Sequence, residues 1–515
     1  MSASPVEEQP GDTRSNEELT AATAAGLRWI TYARMIIEAL LLVSMVVLAR
    51  LIPPAAFGVY AVVTIVQELT MTLPMESTSS ALVQRRSVGR EHLQGALSLG
   101  LLIGIGLALV TMVIAQLLAK PIYGAETATL LMIVAPTFLL GAVNAIPLAV
   151  LRRRLDFKSI GIISIASTFA RVAGMIGLAL AGLDASALVL GTTISVVVSI
   201  ALGLFFAPIP LPRWRPQAMR DLFPYSGPAS LATLAWTGFR NGDYAIIGAR
   251  LGAAQAGLYW RGYQLAVEYQ RKISIVMTEM AMPILSRTAG HDELHALRRR
   301  MVRLLTVVLF PFLVLLVLLG PVVVPWLFGP EWEPAVLPAQ ILAAGGAATL
   351  VIDAAGSGMA AAGRTKAMLG YGIAHFVVYA GTVVIVSPHG LTAVAIAAAV
   401  IHTLFLVVAY QVLLGERALR SLWGDIAPAS VGCIAMAIVG VPLAWAMNRA
   451  GAPVLVQIAI VGAFSGVAYL LTVRATFADC WSDLCAALRR IVPSAALELL
   501  ARVPRFRVAR SGNAA

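Results

Sequence analysis

Arg261, Gln264, Glu268 and Lys272 advance by three, four and four residues, which places them on one face of a helix. Tyr263, Tyr269 and Arg271 stand beside them in an otherwise apolar stretch. An arginine fork donates two hydrogen bonds to phosphate oxygens. A tyrosine packs its ring against a sugar and offers a hydroxyl. This face therefore suits an anionic ligand; a salt-bridged structural helix, or a stretch that lies partly outside the membrane, is the competing reading. Arg240 and Asp243 lie in the preceding apolar stretch. Nearer the N-terminus, Arg34 and Glu38 are four apart, either an ion pair facing a cavity or an arginine reaching back to the surface. Thr64, Glu68, Thr72 and Glu76 recur every four residues. A carboxylate on that stripe can bind a proton or Na⁺; the alternative is helix packing. Glu38, Glu68, Glu76, Asp243 and Glu268 are thus the ion-coupling candidates, and Arg34, Arg240, Arg261, Tyr263, Gln264 and Lys272 the ligand-binding ones.

Other polar groups carry less. Arg171 and Asp353 are lone charges, and His375 and His402 read as helix contacts rather than a proton relay. His291 and His295, beside Asp292 and Glu293, mimic a metal set only in spacing, so no metal is expected. No phosphate-binding glycine loop, nucleophile elbow or HExxH stretch occurs, and neither a catalytic residue nor a cofactor is expected.

The elements that carry these groups follow from composition. Of 515 residues, 59% are hydrophobic and 12% charged, and mean hydropathy is +0.84. Soluble domains average about 25% charged residues. Fourteen apolar stretches are legible: 30–49, 58–83, 95–118, 126–150, 160–181, 185–207, 226–248, 257–286, 303–328, 335–362, 367–387, 390–414, 426–447 and 453–473. Each approaches the roughly 20 residues that a membrane-spanning helix needs. The fold class is therefore an all-α polytopic membrane protein. No separate catalytic domain fits between the spans. Three cysteines cannot build a disulfide framework.

The net charge of +12 sits between the spans, which argues for a membrane setting and against nucleic acid. With the N-terminus inside, the inner segments hold 28 Lys and Arg against 4 in the outer ones. This bias sets orientation and supports an even span number with both termini cytoplasmic. Residues 1–29 read as a cytoplasmic tail, not a signal peptide. Residues 474–515 read as a basic tail in which Trp481, Leu484, Leu488 and Ile491 recur at helical spacing, either in the headgroup layer or as a solvated helix.

The chain repeats itself. Ala49-Arg50-Leu51 followed by Gly58-Val59-Tyr60 is echoed by Ala249-Arg250-Leu251 followed by Gly257-Leu258-Tyr259. Tyr123-Gly124-Ala125-Glu126 is echoed by Phe328-Gly329-Pro330-Glu331, and the basic cluster at 151–158 by 363–366. Each pair lies six spans apart, so the repeats share one orientation, as in parallel-repeat transporters. The expected organisation is an N-lobe over 30–225, a C-lobe over 226–425, and two extra helices over 426–473.

These residues resemble a known family. Leu48-Ala49-Arg50-Leu51-Ile52-Pro53 through Phe57-Gly58-Val59-Tyr60, Ala81-Leu82-Val83-Gln84-Arg85, and Leu151-Arg152-Arg153-Arg154-Leu155-Asp156-Phe157 look like bacterial polysaccharide biosynthesis flippases. So do Arg240-Asn241-Gly242-Asp243-Tyr244, Gly257-Leu258-Tyr259, and Phe328-Gly329 with Trp332. That family belongs to the multidrug, oligosaccharidyl-lipid and polysaccharide exporter superfamily. The resemblance implies two six-helix lobes, alternating access and transport rather than catalysis. It implies an undecaprenyl-pyrophosphate-linked oligosaccharide as cargo, destined for exopolysaccharide or lipopolysaccharide, in the bacterial cytoplasmic membrane. Membrane lipids, a polysaccharide polymerase and a chain-length regulator are the implied partners, and H⁺ or Na⁺ the implied coupling ion. A multidrug or metabolite exporter is the alternative; a membrane polymerase is disfavoured because every outer segment is shorter than ten residues.

Reporter fusions after Gly89, Pro216 and Arg299 are expected to read cytoplasmic, and those after Pro54, Gly252 and Gly451 periplasmic. Two or more reversals would end the fourteen-span topology.

Overall fold

A computed structural model describes residues 16–85, 87–272, 274, 291–361, 365–413 and 416–489. Among the described residues there are helices and no strands. Lipid offers no hydrogen bonds to a peptide group, and a helix satisfies each one within its own segment.

The helices are α1 (Asn16–Leu51), α2 (Pro54–Pro74), α3 (Arg90–Tyr123), α4 (Ala125–Arg153), α5 (Phe157–Leu180), α6 (Ala185–Phe206), α7 (Pro216–Leu251) and α8 (Ala253–Tyr263). They continue with α9 (His291–Phe328), α10 (Val336–Ala361), α11 (Thr365–Val386), α12 (Leu391–Val408), α13 (Glu416–Arg449), α14 (Val454–Thr476) and α15 (Ala478–Arg489). Twelve among the described residues are long and apolar enough to cross a membrane. The expected spans seven and eight are the ones outside that set. α7 has the length, at 36 residues, but carries Arg240, Asn241, Asp243 and two internal prolines. Span eight runs beyond α8 into residues outside the described ones.

The chain forms two compact units, Met1–Gly257 and Leu258–Ala515. In the first, α5 packs along α6 and α1, α4 lies against α2, α3 and α6, and α7 lies against α2 and α3. A core of Leu82, Leu93, Ala96, Ile146, Ala149 and Leu222 ties α3, α4 and α7 together. In the second, α10 packs on α9 and α12, while α13 and α14 pair and dock on α9. Tyr469 of α14 donates its hydroxyl to the Val307 carbonyl at 2.8 Å. The tail helix α15 joins this core through Cys480 and Leu484, and its Asp483 meets Arg300 at 2.7 Å. Part of the expected apolar stripe, Trp481 and Leu484, thus packs on the bundle. Leu488 and Ile491 lie outside the residues whose side chains are described.

The second sequence echo is an echo of conformation. Gly124 adopts φ 94°, ψ 172° and Gly329 φ 109°, ψ 162°, each ending one helix and starting the next. That region is left-handed and favours glycine. The first echo is an echo of contact. A Cβ on Gly58 would fall onto the Ala253 carbonyl oxygen, and one on Gly257 onto that of Pro54. Absent side chains let the backbones of α2 and the first turn of α8 meet. The third echo includes 363–366, whose side chains lie outside the described residues.

Gly58→Ala and Gly257→Ala should each lower the melting temperature in detergent and the amount of folded protein in the membrane. Gly106→Ala, where a Cβ meets nothing within 4 Å, should leave both unchanged. Equal stability of all three variants would refute the close approach.

Candidate functional site

The evenly stepped polar face expected over Arg261–Lys272 is not continuous. α8 passes into a π turn at Gln264–Glu268. The extra residue in such a turn rotates the succeeding positions about the helix axis. Arg261 and Lys272 therefore belong to different surroundings.

Arg261 is 2% exposed. Its guanidinium donates to Gln264 Oε1 at 3.1 Å and lies 5.3, 5.3 and 5.1 Å from the ring centres of Trp260, Phe328 and Trp332. A desolvated cation gains about 1 kcal/mol or more from each such ring. Trp332 and Phe328, which stack edge to face at 6.3 Å, are themselves fully buried. Tyr263 is buried and stacks on Tyr259 at 6.2 Å, and Gln264 is half-buried. Beyond the π turn, Arg271 meets Glu268 at 3.6 Å, and the Lys272 ammonium sits 5.2 Å over the Tyr269 ring. Glu268, Arg271 and Lys272 are all half-buried. Spacing alone does not single out Trp260 and Phe328 as partners of Arg261, since they reach it from an adjacent position and from another helix. The run Phe328-Gly329 with Trp332 is the available signal.

A second polar cluster joins α2 to α7. Asn241 donates its amide to Glu68 Oε2 at 3.2 Å and to the Thr237 carbonyl at 3.2 Å. Asp243, 5% exposed, accepts the Tyr244 amide N–H at 2.9 Å. Gln67 donates to the Val189 carbonyl on α6 at 3.1 Å. The four-residue stripe that contains Glu68 does not stay on one face. Thr64 is buried, Thr72 exposed, and a π turn at Met75–Ser79 comes next. On α1, Arg34 is exposed and Glu38 half-buried. The side chains of Glu76 and Arg240 lie outside the described residues. Among the described residues, no three His, Cys, Asp or Glu side chains converge to hold a metal.

The chain has recognisable relatives. Residues 47–337 match the family described as polysaccharide biosynthesis protein. A Klebsiella pneumoniae protein, described as an uncharacterized membrane protein in the cps region, is 23% identical over 371 residues, covering 70% of this chain and 76% of that one. The lipopolysaccharide biosynthesis protein WzxC of Escherichia coli is 26% identical over 336 residues, covering 63% and 67%. Among solved structures, the lipid II flippase MurJ in an inward closed conformation superposes with a TM-score of 0.60 at 14% identity, covering 87% of this chain and 98% of that one. At that identity the likeness is one of fold.

The surroundings of Arg261 predict an order of stabilities. Arg261→Ala removes the cation and leaves a void among three rings, so it should cost about 2–4 kcal/mol. Arg261→Lys keeps the charge but loses the planar fork and should fall between. Thermal unfolding in detergent reads the order; an Ala variant as stable as the parent would remove the packing role.

Proposed function

The chain belongs to the polysaccharide biosynthesis protein family, and on that premise we propose that it is a flippase for oligosaccharides linked to a polyprenyl pyrophosphate. The observation that carries this reading is the family match over residues 47–337. The fold shared with a lipid flippase supports it. The cargo poses a defined physical problem: a pyrophosphate and a hydrated sugar chain must cross about 30 Å of hydrocarbon. The membrane alone opposes this by the cost of charge in a low-dielectric layer. A protein path with cations and aromatic rings lowers it.

Alternating access would present that path to each side in turn, with both termini in the cytoplasm as the loop charges imply. Lys272, half-buried, is the member of the span-eight set that would meet the pyrophosphate before Arg261. Arg261 and Tyr263 are buried, and they reach the cargo only in a state that parts the rings around them. Arg34 and Arg240 complete the proposed cationic set. An H⁺ or Na⁺ gradient supplies the work, with the carboxylates Glu38, Glu68, Glu76, Asp243 and Glu268 as its acceptors. Glu68 accepts the Asn241 amide across α2 and α7, which fixes where that carboxylate sits. The product leaflet is where a polysaccharide polymerase and a chain-length regulator would take over.

Deletion of the gene should stop polymer export and leave lipid-linked oligosaccharide on the cytoplasmic leaflet, with drug susceptibility unchanged. Accumulation on the outer leaflet would place the block after translocation. Normal polymer with altered drug susceptibility would favour the exporter reading.

A further inference from the structure

Tyr371, His375 and Tyr379 stand four residues apart on α11 and share one face. That face meets His402 and Phe405 of α12. The His375 and His402 rings lie 5.1 Å apart at 74°, edge to face. The Phe405 ring lies 4.6 Å from His375, and the Tyr379 ring 5.2 Å from His402. The Tyr379 hydroxyl is 2.9 Å from the Tyr259 hydroxyl on α8. Tyr371 donates to the Phe405 carbonyl at 3.1 Å. His402 is 7% exposed. Two ring nitrogens, His375 Nε2 and His402 Nδ1, are buried with no hydrogen-bond partner among the described residues.

A buried nitrogen without a partner costs about 1–3 kcal/mol, and two on facing rings need a reason. We propose that His375 and His402 form one shared proton-binding site, and that its occupancy biases the transport cycle. The link to transport rests on the flippase reading; the proton site itself does not. The ligand is a proton, because the pair has one lone pair per neutral ring to offer and no third ligand completes a metal set among the described residues. It takes a single proton, because two imidazolium charges at this separation repel. The ring of Phe405 offers that charge a π face. Two hydroxyls, Tyr259 and Tyr379, make a short polar chain beside His402.

Other titratable groups near the pair among the described residues have contacts of their own. Asp353 of α10 lies within electrostatic reach of the Tyr371 hydroxyl. Tyr263 stacks on Tyr259. Tyr410, after α12, is engaged elsewhere, by Arg298 and Asp425. A charged ring this deep in a bundle is tolerated beside water or a counter-charge. The arrangement described, buried and neutral, is therefore the one an unprotonated pair favours. Adding a proton favours any arrangement in which α11 and α12 admit water or bring Asp353 closer, by its differential affinity for the two.

The test uses the full chain in lipid nanodiscs with ¹⁵N-labelled histidine, titrated between about pH 3 and about pH 8, because burial moves an imidazole below its ordinary range. His375 and His402 should titrate together as one coupled pair. His375→Gln should displace the His402 inflection, and His402→Gln that of His375. In vesicles carrying a fluorescent undecaprenyl-pyrophosphate oligosaccharide, flipping by the parent should track the same inflection. Both variants should lose this pH dependence while remaining folded and inserted. Two rings that stay neutral throughout, or a ring whose titration ignores loss of its partner, would overturn the shared site. A pH profile of flipping unchanged in both variants would overturn its link to transport. A pair that titrates as described in a protein that flips nothing would uphold the site and refute the flippase reading.

Discussion

A charge placed in hydrocarbon must be met by a partner, and the helices of this protein are held where those meetings occur. Arg261 is met by three aromatic faces and an amide oxygen. Glu68 is met by the amide of Asn241. Asp425, fully buried, is met by Arg298 at 3.5 Å, by Arg299 at 2.9 Å and by the Tyr410 hydroxyl. Each solution joins segments far apart in the chain, which apolar packing cannot specify in lipid. Leucine gains little by leaving lipid for protein, so polar and close small-residue contacts fix the arrangement.

That division explains what the sequence reveals. Spans depend on windows of apolar residues, a local quantity, so twelve of the fourteen expected spans coincide with helices long and apolar enough to cross a membrane among the described residues. α7 and α8 are the weak cases because their polar groups dilute the same signal. Which polar groups meet is a tertiary matter. Gln264, three residues away, is the competitor for Arg261 that spacing reveals. Phe328 comes from α9, and spacing cannot find it. His375 and His402 each read as lone because they are 27 positions apart and on different helices. π turns are the other hidden term. Nothing in Gln264–Glu268 or Met75–Ser79 announces an extra residue per turn, yet each redirects a polar stripe that the α period draws straight.

The C-terminal helices add a second kind of order. α13 and α14 dock on α9, and α15 folds back onto the same core. Their contact with α9 is polar at one end, where Arg298, Arg299, Arg300 and Arg303 meet Asp425, Asp483 and the Gly424 carbonyl. It is apolar along the rest, around Val307, Met436 and Val473. Basic residues at 298–303 thus hold the extra helices to the bundle.

The crossing at Gly58 and Gly257 is reciprocal. Gly58 sits under the carbonyl of Ala253 and Gly257 under that of Pro54, so each segment offers a glycine and receives one through the residue four positions earlier. Contacts of this form are what two like surfaces make about a two-fold axis. The two glycines therefore act as one lock: a side chain at either one parts the same pair of backbones, and the glycine that remains cannot restore the approach.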